Sequence, residues 1–179
     1  LADFDGDLKA DPGLYSDGLS LWAFKLSGSG YAMTLFPFGN PGSHPAAADF
    51  DGDAKADPAL YQESSCTWLV LLSKSGYALN SLVAGSPNCR PVAGDFDGDR
   101  LGDPAVFQYT SGAWSVMMSG QGYRPTVFGF GSLGDQPAAG DYDGDLKADP
   151  AIYSYSSGQW TILKSASGYS PATVTFFGE

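Results

Sequence analysis

Asp3-Phe-Asp-Gly-Asp-Leu-Lys-Ala-Asp-Pro12 is the first of four copies of one ten-residue pattern, and the others occupy residues 49–58, 95–104 and 141–150. The copies follow one another at 46 residues in unbroken phase. In general form the pattern is Asp-(Phe/Tyr)-Asp-Gly-Asp-x-x-x-Asp-Pro, with carboxylates at its first, third, fifth and ninth positions. Side chains spaced in this way on a tight loop can converge on one hard cation, and calcium takes six to eight oxygen ligands at about 2.3–2.6 Å. The ligands this predicts are Asp3, Asp5, Asp7 and Asp11; Asp49, Asp51, Asp53 and Asp57; Asp95, Asp97, Asp99 and Asp103; and Asp141, Asp143, Asp145 and Asp149. The seventh position adds the backbone carbonyls of Lys9, Lys55, Leu101 and Lys147. Glycine at the fourth position permits the bend.

An EF-hand does not fit, because its loop carries glycine at position six and closes on a bidentate glutamate between helices. A plain polar turn also collects Asp and Gly, but it does not repeat them four times in one phase. Of the 20 acidic residues, 16 stand in the loops, and only Asp17, Glu63, Asp135 and Glu179 lie elsewhere. Four carboxylates packed into a short loop repel one another unless a cation neutralises them. Four calcium ions carry eight positive charges against a formal net charge of −11. The acidity therefore reads as structural metal chemistry at four sites, not as a surface for basic partners. The nine Lys and Arg form no cluster, which excludes a nucleic-acid footprint.

A period of this length built from short strands is that of propeller blades. Gly and Pro recur too often for helical repeats. The expected fold is all-β: one propeller domain, 1–179, of four blades at about 1–46, 47–92, 93–138 and 139–179. Each blade is expected to be a four-stranded antiparallel sheet with the calcium loop between its first and second strands.

Within a blade, Pro-(Ala/Val)-Ala-(Ala/Gly)-Asp at 45–49, 91–95 and 137–141 reads as an inner strand whose small side chains suit a crowded axis. Residues 58–62, 104–108 and 150–154 read as the second strand, and a third is built on Trp22, Trp68, Trp114 or Trp160. Gly-Tyr at 30–31, 76–77, 122–123 and 168–169 then leads to an outer strand such as 126–130. One tryptophan per repeat at fixed phase is read as core rather than as a sugar platform. The Gly-Tyr pairs are read as turn and packing.

The acid loop between two strands, the Trp strand, and a Phe-Gly near the repeat end at Phe38-Gly39, Phe130-Gly131 and Phe177-Gly178 together resemble the FG-GAP/VCBS repeats of integrin-type calcium-binding β-propellers. Ala84-Gly85 departs from that element. The resemblance covers nearly the whole chain. It implies that each loop joins the inner strand to the second and that the ion rigidifies the hairpin. It also implies roles in adhesion, carbohydrate recognition or as accessory modules of secreted proteins. Leu1 aligns with Ala47 and Glu179 with Asn40, so the first inner strand is expected to be truncated. A closed four-bladed unit of a longer tandem array or filament accounts for this.

Cys66 and Cys89 both fall in the second repeat, where the other copies have Ser20, Gly112 and Gly158, or Ser43 and Asp135. Their joint appearance predicts a local disulfide and an oxidising compartment. The longest apolar run, around Trp68–Leu72, is far short of a membrane span. His44, the single histidine, is placed in an interblade loop, and no Ser, Cys or His constellation suggests catalysis. The leading expectation is a non-enzymatic extracellular structural or adhesive module that associates with itself, with neighbouring propeller units or with a cell surface. The alternative is a lectin-like propeller binding glycans through Tyr31, Tyr77, Tyr123 or Tyr169.

Overall fold

The computed structural model describes residues 2–175. These form strands and short 3₁₀ turns, and no helix among them is long and apolar enough to cross a membrane. The chain divides into two compact units, Leu1–Val83 and Ala84–Glu179.

The first unit holds β1 (Gly13–Ser16), β2 (Leu21–Leu26) and β3 (Ala32–Pro37) in one sheet. Its second sheet contains β4 (Ser43–Ala48), β5 (Asp57–Gln62), β6 (Thr67–Leu72) and β7 (Ala78–Val83). Both are antiparallel meanders in sequence order, as expected for blades. The first sheet has three strands, not the four expected of every blade. What corresponds to its inner strand is Ala2, which forms an isolated bridge with Asp11 just as Ala48 pairs with Asp57 at the end of β4.

In the second unit, β8 (Cys89–Gly94), β9 (Asp103–Gln108), β10 (Ala113–Met118) and β11 (Arg124–Gly129) form one four-stranded sheet. The other runs through β12 (Gln136–Gly140), β13 (Asp149–Ser154), β14 (Gln159–Lys164) and β15 (Ser170–Thr175). In each four-stranded sheet the acid loop lies between the first and second strands. The Phe-Gly at 177–178 and the alignments of Leu1 and Glu179 lie outside the described residues.

Burial follows the strand order. In β5 and β9 every residue but the last is buried on both faces, whereas the outer strands β3, β7 and β11 are mostly exposed. Trp22, Trp68 and Trp114 are core residues, and the indole N–H of Trp114 donates to the Phe130 carbonyl at 2.9 Å. Trp160 is half-buried, with its ring 5.4 Å from that of Tyr153. One core of the second unit gathers Val92, Phe96, Phe107, Trp114, Val116 and Ile152, joining residues of both its sheets. The first unit does the same with Phe4, Trp22, Phe24, Ala56 and Leu60. Burying side chains of this size stabilises by roughly 1.5–3 kcal/mol each. Adjacent repeats therefore share the apolar surface that neither could cover alone.

Three sequence expectations are corrected. His44 lies within β4, opposite Tyr61, not in a loop. The inner strands begin two residues or one residue before the prolines at 45, 91 and 137, because a proline at the edge of a sheet removes no ladder donor on its solvent side. The disulfide is absent: Cys66 and Cys89 are both free thiols. Cys66 sits left-handed (φ 53°) in the turn after β5, where its thiol donates to the Glu63 carbonyl at 3.7 Å. Cys89 opens β8, almost fully buried, with its sulfur 3.9 Å from Ser86 Oγ. Each side chain is spent on its own turn or strand.

Candidate metal centre: four clipped acid loops

Each loop is shaped by its own carboxylates accepting backbone N–H groups. The first aspartate spans the bend: Asp3 accepts from Gly6 at 2.6 Å and from Leu8 at 2.7 Å, and Asp49, Asp95 and Asp141 repeat both bonds. The fourth-position glycine takes φ of 76–87° in the four loops. At Gly98 a Cβ would also meet Lys147 Cε at 2.8 Å, since the lysine of the following loop lies across it. The sixth position is left-handed as well, although it is occupied by Leu8, Ala54, Arg100 and Leu146 (φ 66–72°). The fifth aspartate accepts the N–H of the seventh residue, namely Lys9, Lys55, Leu101 or Lys147.

The ninth aspartate is the buried strut. Asp11, Asp57, Asp103 and Asp149 are at most 1% exposed, and one oxygen of each accepts the N–H of the loop's second residue at 2.7–3.0 Å. The other oxygen accepts from a 3₁₀ turn that follows the Trp strand: Ser27, Ser73, Ser119 and Ser165 donate their N–H groups at 2.7–2.8 Å. The same serines donate Oγ–H to the fifth aspartate, Asp7, Asp53, Asp99 or Asp145. The next N–H, of Gly28, Lys74, Gly120 or Ala166, reaches the third aspartate at 2.9–3.1 Å. Two residues later in each turn, Gly-Tyr takes up successive left-handed conformations. The turn clips the loop at three carboxylates.

Sequence reading missed these serines. Their signal was a constant 16-residue offset from the ninth aspartate in all four copies.

One ligand oxygen from each of three carboxylates falls within 4.8 Å of the others in every loop: Asp3, Asp5 and Asp11; Asp49, Asp51 and Asp53; Asp95, Asp97 and Asp99; Asp141, Asp143 and Asp149. The first and third positions belong to every triad, joined by either the fifth or the ninth. Asp7, Asp57, Asp103 and Asp145 of the expected set stand outside these groups, and position seven is brought in through its N–H. Among the described buried side-chain atoms, Asp51 Oδ1 and Asp143 Oδ1 have no hydrogen-bond partner. Such orphan oxygens, inside hard carboxylate triads, suit a hard cation.

The charges respond to these surroundings. Burial pushes the Asp103 carboxyl up to about 6, against the N–H bonds from Ser119 and Phe96 that favour its anion. Asp57 is raised for the same reason. Asp141 is lowered, chiefly by the Gly144 N–H. Asp7 is lowered by its hydrogen bond from the Lys9 ammonium at 3.0 Å and by that from Ser27.

No family model matches the chain, and no curated protein matches it. Among solved structures, a selenomethionine-substituted virginiamycin B lyase from Staphylococcus aureus is similar over 97% of this chain at TM-score 0.62 and 8% identity. The chain spans about half of that protein, 54% of its length. At such identity the likeness concerns fold alone. With the four antiparallel sheets above, it establishes the chain as an all-β protein of the β-propeller fold.

Proposed function

We propose that this chain is an extracellular calcium-stabilised β-propeller module of the FG-GAP/VCBS kind, serving a structural or adhesive purpose within a larger assembly of such units. The observation that carries the reading is the triad of carboxylates, built in every loop on its first and third aspartates and clipped by the serine turn. A calcium ion supplies positive charge where neighbouring carboxylates otherwise repel. The first and third aspartates of each loop hold it, with the fifth or ninth completing the protein set and the carbonyl of position seven as a further donor. Because such an ion binds the folded loop and not the open chain, it stabilises by mass action, about 2.7 kcal/mol per site at a hundredfold excess over Kd. Extracellular calcium is abundant enough for sites of modest affinity. The scarcity of charge outside the loops fits an exposed secreted surface.

The reading assigns no catalysis. His44 pairs through Nε2 with Glu63 at 3.3 Å, and in this reading the loop carboxylates are taken up by the cation, by backbone N–H groups and by the clip serines. The lyase activity in the name of the similar structure stays with that protein. A lectin-like role draws on Tyr31, Tyr77, Tyr123 and Tyr169, each 39–55% exposed at one phase of the repeat.

Calorimetric titration of calcium into chelated protein, with melting followed in parallel, tests the proposal. Close to four equivalents and a raised melting temperature are expected. Absence of binding, or binding without a change in stability, removes calcium from the reading.

A further inference from the structure

The second unit contains a cavity that the metal reading does not use. It has a volume of about 460 Å³ and opens between the sheet of β8–β11 and that of β12–β15. Phe96, Val116, Met118 and Phe128 form its wall on one side, and Leu163 and Tyr169 form it on the other. No charged side chain lines it among the described residues, and polar atoms are restricted to Thr126, Tyr169 and the backbone. A cavity of this size lies within the range of small-molecule sites. Apolar cavities take up apolar rings in preference to water.

The first unit shows what the fold puts in the corresponding place. Two repeats, or 92 residues, separate Val116 from Phe24, Phe96 from Phe4 and Met118 from Leu26. The ring of Phe24 packs 4.2 Å from that of Phe4 and 5.3 Å from Trp22, filling the core there. Tyr77 and Phe36, which correspond to Tyr169 and Phe128, stand in ring contact at 5.1 Å. In the second unit valine replaces that phenylalanine, and a benzyl side chain gives way to an isopropyl group. Val116 is packed in the core, and among the described residues no ring contact between Phe128 and Tyr169 corresponds to that of Phe36 and Tyr77, so the aromatic wall stays open to a ligand.

We infer that the apolar cavity between the third and fourth repeats, lined by Val116 where Phe24 stands two repeats earlier, is a binding site for an uncharged small molecule carrying one or two aromatic rings. A charged ligand would lose its hydration without gaining a partner. Sugars would leave their hydroxyls facing Phe96, Phe128 and Leu163. Tyr169, 44% exposed and with its hydroxyl titration raised by burial first and by the Asp145 and Asp149 carboxylates next, stands at the boundary between the apolar wall and solvent. It offers the ligand one hydrogen bond and a ring face. Phe96 belongs to an acid loop, but the site uses none of the loop carboxylates.

Fluorescence titration of the calcium-supplemented wild-type protein with the uncharged naphthalene dye 6-propionyl-2-(dimethylamino)naphthalene tests this. Saturable binding of one equivalent is expected, with intermolecular NOEs from the probe to the methyl groups of Val116 and Met118. Val116→Phe should weaken binding at least tenfold at an unchanged circular dichroism spectrum, and Met118→Trp, at a half-buried wall position, should do the same. The NOE measurement needs no variant and decides the matter if either substitution fails to fold. Non-saturable binding, NOEs confined to other methyl groups, or binding within twofold of wild type in both folded variants overturns the assignment. Displacement of the probe by a methyl glycoside overturns it too, in favour of a polar ligand. A cavity that takes no probe overturns the assignment as well. Because the readout is the probe and not the ion, a protein that takes up no calcium can be titrated in the same way, and failure of the calcium reading is distinguished from failure of this one.

Discussion

The backbone N–H of Ser73 donates to Asp57 Oδ1 at 2.7 Å, tying the residue after β6 to the first residue of β5 across the open end of the hairpin. Because Asp57 has no exposed surface, its second oxygen is equally committed, to the N–H of Phe50. One carboxylate thus holds loop, hairpin and turn together before any ion is considered. The strut and the three-carboxylate triad in this loop are separate devices, since the triad is made by Asp49, Asp51 and Asp53.

Asp57→Ala leaves two N–H groups without acceptors in a buried place, and each such loss costs about 1–3 kcal/mol. A total destabilisation near 3 kcal/mol is expected, against about 1 kcal/mol for Asp53→Ala in the same loop. Urea denaturation with calcium chelated compares the two, and equal losses would remove the distinction between strut and triad.

Ser165→Ala deletes the hydroxyl that donates to Asp145 at 2.8 Å while leaving the N–H bond to Asp149 in place. A loss of about 1 kcal/mol is expected. Ser167→Ala serves as the control: its hydroxyl donates to the Lys164 carbonyl and touches no carboxylate. A calcium affinity that changes for the first variant and not for the second would place the clip in the binding equilibrium.

Asp103 sets a pH dependence for the metal-free protein. Its folded value, about 6, lies above the ordinary value of 3.8, so its contribution to stability is fully present below 3.8 and is lost as pH rises through 6. Asp141 and Asp7 are shifted the other way, and what they contribute is present above the ordinary value and lost as pH falls below it. Chelated protein is therefore expected to lose stability between pH 4 and pH 6.5, and calcium should flatten the slope by stabilising the carboxylate. NMR titration of the Asp103 carboxyl gives the midpoint directly. A midpoint near 4 would contradict the assignment.

Leu146 occupies a left-handed position (φ 71°) with 78% of its surface exposed, so it contributes little packing to offset the backbone cost. That cost is about 1–2 kcal/mol for an ordinary residue, and asparagine bears it more easily. Leu146→Asn should raise stability by about 0.5–1 kcal/mol in thermal melts. No gain would mean that the loop relaxes when free of metal.

Both cysteines being free, dithiothreitol should leave the melting temperature unchanged, and Cys66 should react with a thiol reagent in the native protein well before Cys89. A drop in melting temperature on reduction would restore the crosslink.

The blades were legible in the sequence because their information is local. Trp68 and its neighbours alternate as a strand, Gly76-Tyr77 ends it, and Asp49 to Asp57 close the loop within nine residues. The serine clip was not legible, because serine is abundant in every turn of this chain and only the offset from Asp57 marks Ser73 as different. The disulfide failed for a related reason: two cysteines unique to one repeat suggest a pair, but the left-handed turn at Cys66 and the strand at Cys89 direct the two side chains to different neighbours. The three-stranded first sheet could be foreseen from Ala2, whose bridge to Asp11 is all that corresponds to an inner strand. Val116 gave no warning of a cavity, since a valine in a strand reads as core. It acquires meaning beside Phe24 once the two units are compared.

The N–H of Ala56 donates to the Asp3 carbonyl at 2.6 Å, and Ala148 does the same to Asp95 in the other unit. A lone repeat carries this acceptor and this donor without bringing them together, so within each unit the bond is made only when two repeats are joined. Splitting the chain after Val83 should leave each half with one such bond made, while a cut after residue 48 would break it. A repeat boundary inside a unit is thus a seam carrying its own hydrogen bond, and a chain cut there gives it up.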